Sequence, residues 1–338
     1  MLTSLRRLNI DLLDDTPGLA AALDASLAQL TNLTAVSMDV GESCDSMDGE
    51  VPHLLRLPQL AALRLMRTSL TSNAAVTAAT SLTELHLIDA FSDGGAEWWT
   101  TTALEELPAL RRLCIVGQHW SSREPLLPLL RRLQASSPPP AALPGHLQRL
   151  CDVLTDVALC GIKDADGGAL QGLSRLWALT GLEFRTCFEL KSLPPAVVSL
   201  KLRRLSIEHC SLMHDLPEGP YLGHLTRLQW NNIGRNCLDV PSCLGQASQL
   251  RTLSLSMTNS ILLGHHTAVL AALPHLQRVQ LLRDENESGE PDLESCMLSV
   301  QLYQRLNADS QRRVALDFVE DYAERPSDEY PEFEGVMQ

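Results

Sequence analysis

One apolar spacing, L-x-x-L-x-x-L-x-L, returns along most of this chain and limits what it can fold into. The frames are Leu2-Leu5-Leu8-Ile10, Leu30-Leu33-Val36-Met38, Leu57-Leu60-Leu63-Leu65, Leu82-Leu85-Leu87, Leu107-Leu110-Leu113-Ile115 and Leu154-Val157-Leu159. They continue as Leu176-Leu179-Leu182-Phe184, Leu202-Leu205-Ile207, Leu222-Leu225-Leu228-Trp230, Leu250-Leu253-Leu255 and Leu273-Leu276-Val279-Leu281. Steps between the last apolar positions of these eleven frames are 28, 27, 22, 28, 44, 25, 23, 23, 25 and 26 residues. A period of about 20–29 residues indicates stacked units, none of which can bury its apolar face alone. Within each unit the closing L-x-L alternates with period two. Both apolar side chains therefore point to one side of a short strand and the residue between them to the other. The 44-residue step is close to two units, and Leu130-Arg131-Arg132-Leu133 reads as a degenerate copy inside it, near 126–145.

Aromatic residues are only 4% of the chain, so aliphatic side chains must fill such a core. The net charge of −14 is unevenly spread: from Leu282 onward there are fifteen acids and five bases. An acidic chain of this kind argues against general binding to a nucleic-acid backbone. Nine cysteines without a CxxC pair do not form a secreted disulfide framework. Met1 to Arg7 lacks the apolar run of a signal peptide, and no stretch reaches the ~20 apolar residues of a membrane span. The expected setting is cytoplasmic, with nuclear or cytoskeletal and ciliary settings as alternatives.

The connecting segments differ along the chain. Asp14-Asp15-Thr16-Pro17 before an Ala/Leu run reads as a capped helix start, and Asp164 to Leu170 leading into Leu173 and Leu176 reads as a second short helix. Leu193-Pro194, Leu216-Pro217 and Val240-Pro241 predict extended segments, because proline opposes a helix. After Leu281, the acidic run Asp284 to Glu294 predicts an exposed loop, residues 295–308 a closing helix and Val314 to Phe318 a final strand. Residues 320–338 are acidic with Pro326 and Pro331, which predicts disorder. The expected domains are a repeat body over 1–281, a C-terminal loop, helix and strand over 282–319, and the tail.

Residues 182–217 read L-E-F-R-T-C…L-K-S-L-P and L-S-I-E-H-C-S-L…L-P, with Cys187 and Cys210 in matching places. These repeats resemble those of plant-type immune receptors, and residues 157–187 resemble the cysteine-containing repeats of F-box proteins. The chain thus looks like a leucine-rich-repeat protein of plant or green-algal type. The implied fold is an α/β solenoid, a curved horseshoe with parallel strands on its concave face and helices and extended segments on its convex face. In both families the repeats are implied to form the ligand-recognition part. The departures are equally specific, since there is no GxxxxGK[ST] phosphate loop and no segment resembling an F-box. The first frame begins at residue 2, leaving no room for an N-terminal cap, so a further domain or a partner is expected to cover that end.

Candidate contact residues follow from the outward positions. Arg203, Arg204, Glu208 and His209 fall in one repeat and Arg227, Gln229, Asn231 and Asn232 in the next. Arg251, Ser254 and Ser256 follow, then Arg278 and Gln280. With strands ~4.8 Å apart, Arg204, Arg227 and Arg278 line up as a basic strip suited to acidic or phosphorylated protein segments. The plainer alternative is a row of arginines that keeps the surface soluble. Met66, Ile88 and Val116 share an outward position in three successive repeats, an apolar patch that marks an interface or lies under a neighbouring segment. Cys187 and Cys210 sit where such repeats turn a side chain inward to the backbone, which accounts for them without zinc from His209 or His214. Trp98-Trp99 reads as an exposed anchor or a helix with one ring packed inward, and Ser136 to Pro140 as a surface connection. No polar constellation has catalytic spacing, and no cofactor is implied. The expected function is a non-catalytic scaffold that binds another protein on its concave face. The alternatives are a ubiquitin-ligase recognition arm, an immune-receptor fragment and an axonemal repeat protein.

Overall fold

The computed structural model describes residues 4–12, 26–27, 29–40, 54–66, 79–88, 107–116, 130, 145–162, 169–231, 239–256, 261, 264–282, 293–308 and 313–319. The chain divides into two compact units, one comprising Met1–Gly161 with Ala169–Leu179, the other Ile162–Gly168 with Thr180–Val336. Unit one carries strands β1 (Arg7–Leu12), β2 (Ala35–Val40), β3 (Ala62–Met66), β4 (Glu84–Ile88), β5 (Arg112–Val116) and β6 (Asp156–Cys160). Each pairs in parallel with the next in sequence. Unit two repeats the arrangement with β7 (Gly181–Arg185), β8 (Arg204–Glu208), β9 (Arg227–Asn231), β10 (Thr252–Ser256), β11 (Arg278–Leu282) and β12 (Ala315–Val319).

Register explains why the apolar frame recurs. In unit two, Leu182, Leu205, Leu228, Leu253 and Val279 stand opposite one another, as do Phe184, Ile207, Trp230, Leu255 and Leu281. All are at most 3% exposed. Each such side chain contributes about 1.5–3 kcal/mol of apolar burial, and it does so only because the next rung covers it. Unit one stacks Val36, Leu63, Leu85, Leu113 and Val157 in the same way. The fold is that of a leucine-rich-repeat solenoid.

Backbone groups outside the strands are satisfied by a second repeating device. The N–H groups of Thr34, Thr83, Thr155 and Thr226, just ahead of their strands, donate to a carbonyl of the preceding rung, and the threonine hydroxyls donate to the same oxygens. At the other end of the strand the chain turns with positive φ, at Gly161 (67°), Thr186 (50°) and His209 (52°). Glycine takes this conformation without strain, whereas a β-branched residue there is costly. Thr186→Asn is therefore expected to stabilise unit two by about 1 kcal/mol, read from the urea midpoint; a loss of stability would show that the turn is not strained.

Two expectations change. The 44-residue step holds one rung, because β5 pairs directly with β6 (Arg112 opposite Asp156), so a degenerate copy near 126–145 adds no strand between them. Leu130 is buried, and its carbonyl lies 2.1 Å from where a Cβ on Gly172 would stand, which only glycine permits. The prolines do not impose extended segments. A helical turn, α2 (Pro195–Val198), follows Pro194, and 3-10 turns follow at Pro220–His224 and Ser242–Gln246. Proline at or just before a helix start sacrifices no hydrogen bond, because the first N–H groups have no intrahelical partner. Two helices lie earlier and later in the chain, α1 (Gly145–Val153) and α3 (Thr267–Ala272). The closing helix and final strand expected after Leu281 are both present, and the strand extends the ladder. Helix α4 (Leu293–Leu306) precedes β12, which pairs in register with β11, and Asn307 exchanges hydrogen bonds with the Val314 backbone. The expected helix start at Asp14 to Pro17, the acidic run from Asp284 to Asp292 and residues 320–338 lie outside the described residues. Among the described residues no helix is long and apolar enough to cross a membrane.

Candidate partner-binding face

Alternation gives each unit an outward strand face made of three rows. In unit two the first row reads Gly181, Arg204, Arg227, Thr252, Arg278 and Ala315 across β7 to β12. The middle row reads Glu183, Ser206, Gln229, Ser254, Gln280 and Asp317, and the last begins Arg185, Glu208 and Asn231. Arg204, Arg227 and Arg278 thus share one row, interrupted only by Thr252. Arg203 and Arg251 fall one residue earlier, just ahead of β8 and β10, level with Thr226 and Gln277 and linked to them through backbone hydrogen bonds. Both are exposed. Across these two rows of β8 to β11, eight positions hold five arginines and no acid. Arg227 and Arg278 are exposed, and Arg278 meets Asp317 of β12 at 3.0 Å.

The rest of that face is occupied with itself. Glu208 is 2% exposed yet carries a carboxylate, and its neighbours account for it. Ser206 and Gln229 donate to its Oε1 at 2.9 and 2.8 Å, while Arg185 approaches its Oε2 at 3.2 Å and Glu183 at 2.5 Å. Asn231, also 2% exposed, accepts from Ser256, and Ser254 donates to Gln280 at 2.7 Å. Glu208, Gln229 and Asn231, expected to meet a partner, are each hydrogen-bonded across the face, and Glu208 and Asn231 are buried. Buried polar groups must be paired, and on this face they pair with one another. Glu183, Arg185 and Ser206 complete the network and escaped the sequence reading; their in-register outward positions were its available signal.

The thiols of Cys187 and Cys210 turn inward as the ladder position requires. Cys187 Sγ donates to the Arg185 carbonyl at 3.2 Å and Cys210 Sγ to that of Glu208 at 3.3 Å, and both residues are fully buried. The adjacent Cys187 thiol is the main influence lowering the Cys210 pKa. His214 and His265 are exposed. Asn232, Trp98-Trp99 and Ser136 to Pro140 lie outside the described residues.

Unit one presents different chemistry. Met66 and Ile88 stand opposite each other, Val116 follows in register, and Met66 and Ile88 are partly exposed; the Val116 side chain lies outside the described ones. Asp39 precedes Met66 in that row and bounds the patch. The neighbouring rows hold a cluster absent from the sequence expectations. Arg112 joins Glu84 at 2.6 Å and Asp156 at 3.7 Å, while His86 lies between Arg64 and Cys114 in register. His86 is 4% exposed, and its pKa falls to about 3, first through burial and then through Arg64 and Arg112. Burial raises the Glu84 pKa and outweighs the opposing pull of Arg112. A histidine held neutral this firmly is a packed polar residue rather than a proton carrier at neutral pH. Among the described residues no group of three or more His, Cys, Asp or Glu side chains could hold a metal ion.

No protein-family model and no curated protein sequence matches this chain. Solved structures similar to it include an internalin of Listeria monocytogenes, 16% identical over 88% of this chain and 83% of that one, with a TM-score of 0.36. A chain from the yeast Rad7 and Elc1 complex is 14% identical over 85% of this chain and 79% of its own length, with a TM-score of 0.46. The leucine-rich-repeat assignment stands on this chain's own in-register rungs.

Proposed function

We propose that this protein is a non-catalytic recognition module that binds an acidic segment of another protein along the arginine rows of unit two. The observation that carries this reading is the charge pattern itself. The eight positions of these two rows over four rungs hold five arginines and no acid, while the neighbouring polar side chains neutralise one another. Arginine is suited to the role because its planar fork meets carboxylate or phosphate with paired hydrogen bonds. The contact set we assign is Arg203, Arg204, Arg227, Arg251 and Arg278, with Met66, Ile88 and Val116 of unit one as a separate apolar patch. The inward thiols of Cys187 and Cys210, at matching places in successive repeats, favour a plant-type, cysteine-containing subfamily, and the setting we assign is cytoplasmic.

The test is a quantitative comparison of proteins captured from the source cell's extract by the wild type and by an R204E/R227E/R278E variant. A specific partner should fall at least about tenfold with the reversed charges, since each lost charge-assisted contact contributes roughly 1.5–3 kcal/mol. The same partner should persist with M66D/I88D. Undiminished capture by the arginine variant would overturn the assignment.

A further inference from the structure

We propose that the acidic C-terminal segment of this same chain, residues 320–338, docks on the arginine rows of unit two and competes with the external partner. The inference rests on the reading of those rows as a recognition surface, and names their resident occupant. Three observations support it. The first is charge: Glu320, Asp321, Glu324, Asp328, Glu329, Glu332 and Glu334 oppose a single base, Arg325, facing five arginines in the two rows. The second is continuity. Asp317, on the last rung before the segment, already pairs with Arg278 at 3.0 Å, so the first acid of this stretch of chain is on the strip.

The third is reach. The segment leaves β12 at Val319, at the opposite end of the strand from the arginine rows, and must cross about 16 Å of the face to return to them. From β12 to β8 is four strand spacings, roughly 19 Å. Nineteen residues extend to about 60 Å, well beyond the roughly 35 Å of that path. Tethered this way, the segment acts at an effective concentration in the millimolar range, enough to weaken an external acidic ligand without being a tight ligand itself. Its attraction is between exposed charges, so salt releases it.

The experiment uses the full chain and a labelled synthetic peptide of residues 320–338 as probe. In one variant the seven acids of the chain's own segment become amides (E320Q, D321N, E324Q, D328N, E329Q, E332Q, E334Q). The peptide should bind this variant about tenfold or more tighter than the wild type, with affinity falling steeply between about 0.05 and 0.5 M NaCl. Adding R204Q, R227Q and R278Q to it should abolish binding. Adding the single exposed change R227Q should weaken it several-fold, with an unchanged thermal melt as the folding control. Equal peptide affinity for wild type and amidated chain, binding that survives the arginine changes, or no binding to any variant each overturns the proposal. If the amidated chain gains no affinity for the peptide while the extract partner still depends on the arginines, the docking segment fails alone and the recognition surface stands.

Discussion

Glu208→Ala is expected to destabilise unit two by about 3 kcal/mol, far more than its outward position on a surface strand would suggest. The carboxylate is 2% exposed and holds Ser206 of its own strand, Gln229 of β9 and Arg185 of β7. Truncation removes their common acceptor and takes one of two carboxylates away from the Arg185 guanidinium. Breaking one partner out of a buried charged set costs about 3–5 kcal/mol, and Arg185, partly open to solvent, places this case at the lower end. Glu208→Gln separates the contributions. It keeps an oxygen for Ser206 and Gln229 but loses the charge facing Arg185, so about half the cost should remain. Urea denaturation of the three chains measures both, and a Glu208→Ala loss below about 1 kcal/mol would show that the network contributes little.

His86 supplies the second large effect, and its sign is fixed by burial. Its pKa is about 3 in the folded chain against 6.5 for the free side chain, so the unfolded state takes up a proton first as the pH falls. Above 6.5 both states are neutral at this position and the folded chain carries no penalty. Between 6.5 and 3 stability declines by up to about 1.4 kcal/mol per pH unit, or about 2.5 kcal/mol by pH 4.5. Glu84 works the other way. Its raised pKa contributes stability present below its ordinary value of 4.5 and lost as the pH rises through the folded value. Because both chains keep Glu84, comparing wild type with His86→Gln largely cancels that contribution. The stability difference between them should shift by about 2.5 kcal/mol in the variant's favour from pH 7 to pH 4.5. Parallel pH profiles would mean that His86 protonates freely in place.

The fold was legible because its cause is periodic. A frame such as Leu202-Leu205-Ile207 states which side chains face inward, and parallel neighbours in register then place every outward residue in a row. Arg204, Arg227 and Arg278 align for that reason. Two kinds of information were out of reach. Whether an outward polar residue is exposed depends on its neighbours one strand away, so the burial of Glu208 and Asn231 could not be read from their outward positions. The effect of a proline depends on which backbone N–H it removes, and at Pro194 no helical bond needed it. The His86 cluster was hidden differently: His86, Arg64 and Cys114 are dozens of residues apart and meet only once the register of β3, β4 and β5 is known.

The stacking in unit two also governs how damage spreads. Each strand there pairs only with the one before and the one after, so stability is set by a chain of nearest-neighbour couplings. Glu208 on β8 and Arg278 on β11 share no pairing partner. Substitutions at these two sites should therefore act as independent increments, to within about 0.5 kcal/mol. Substitutions at Glu208 and Gln229, which touch directly, should not. In this architecture the arginine rows can be rewritten rung by rung without renegotiating the rest of the molecule.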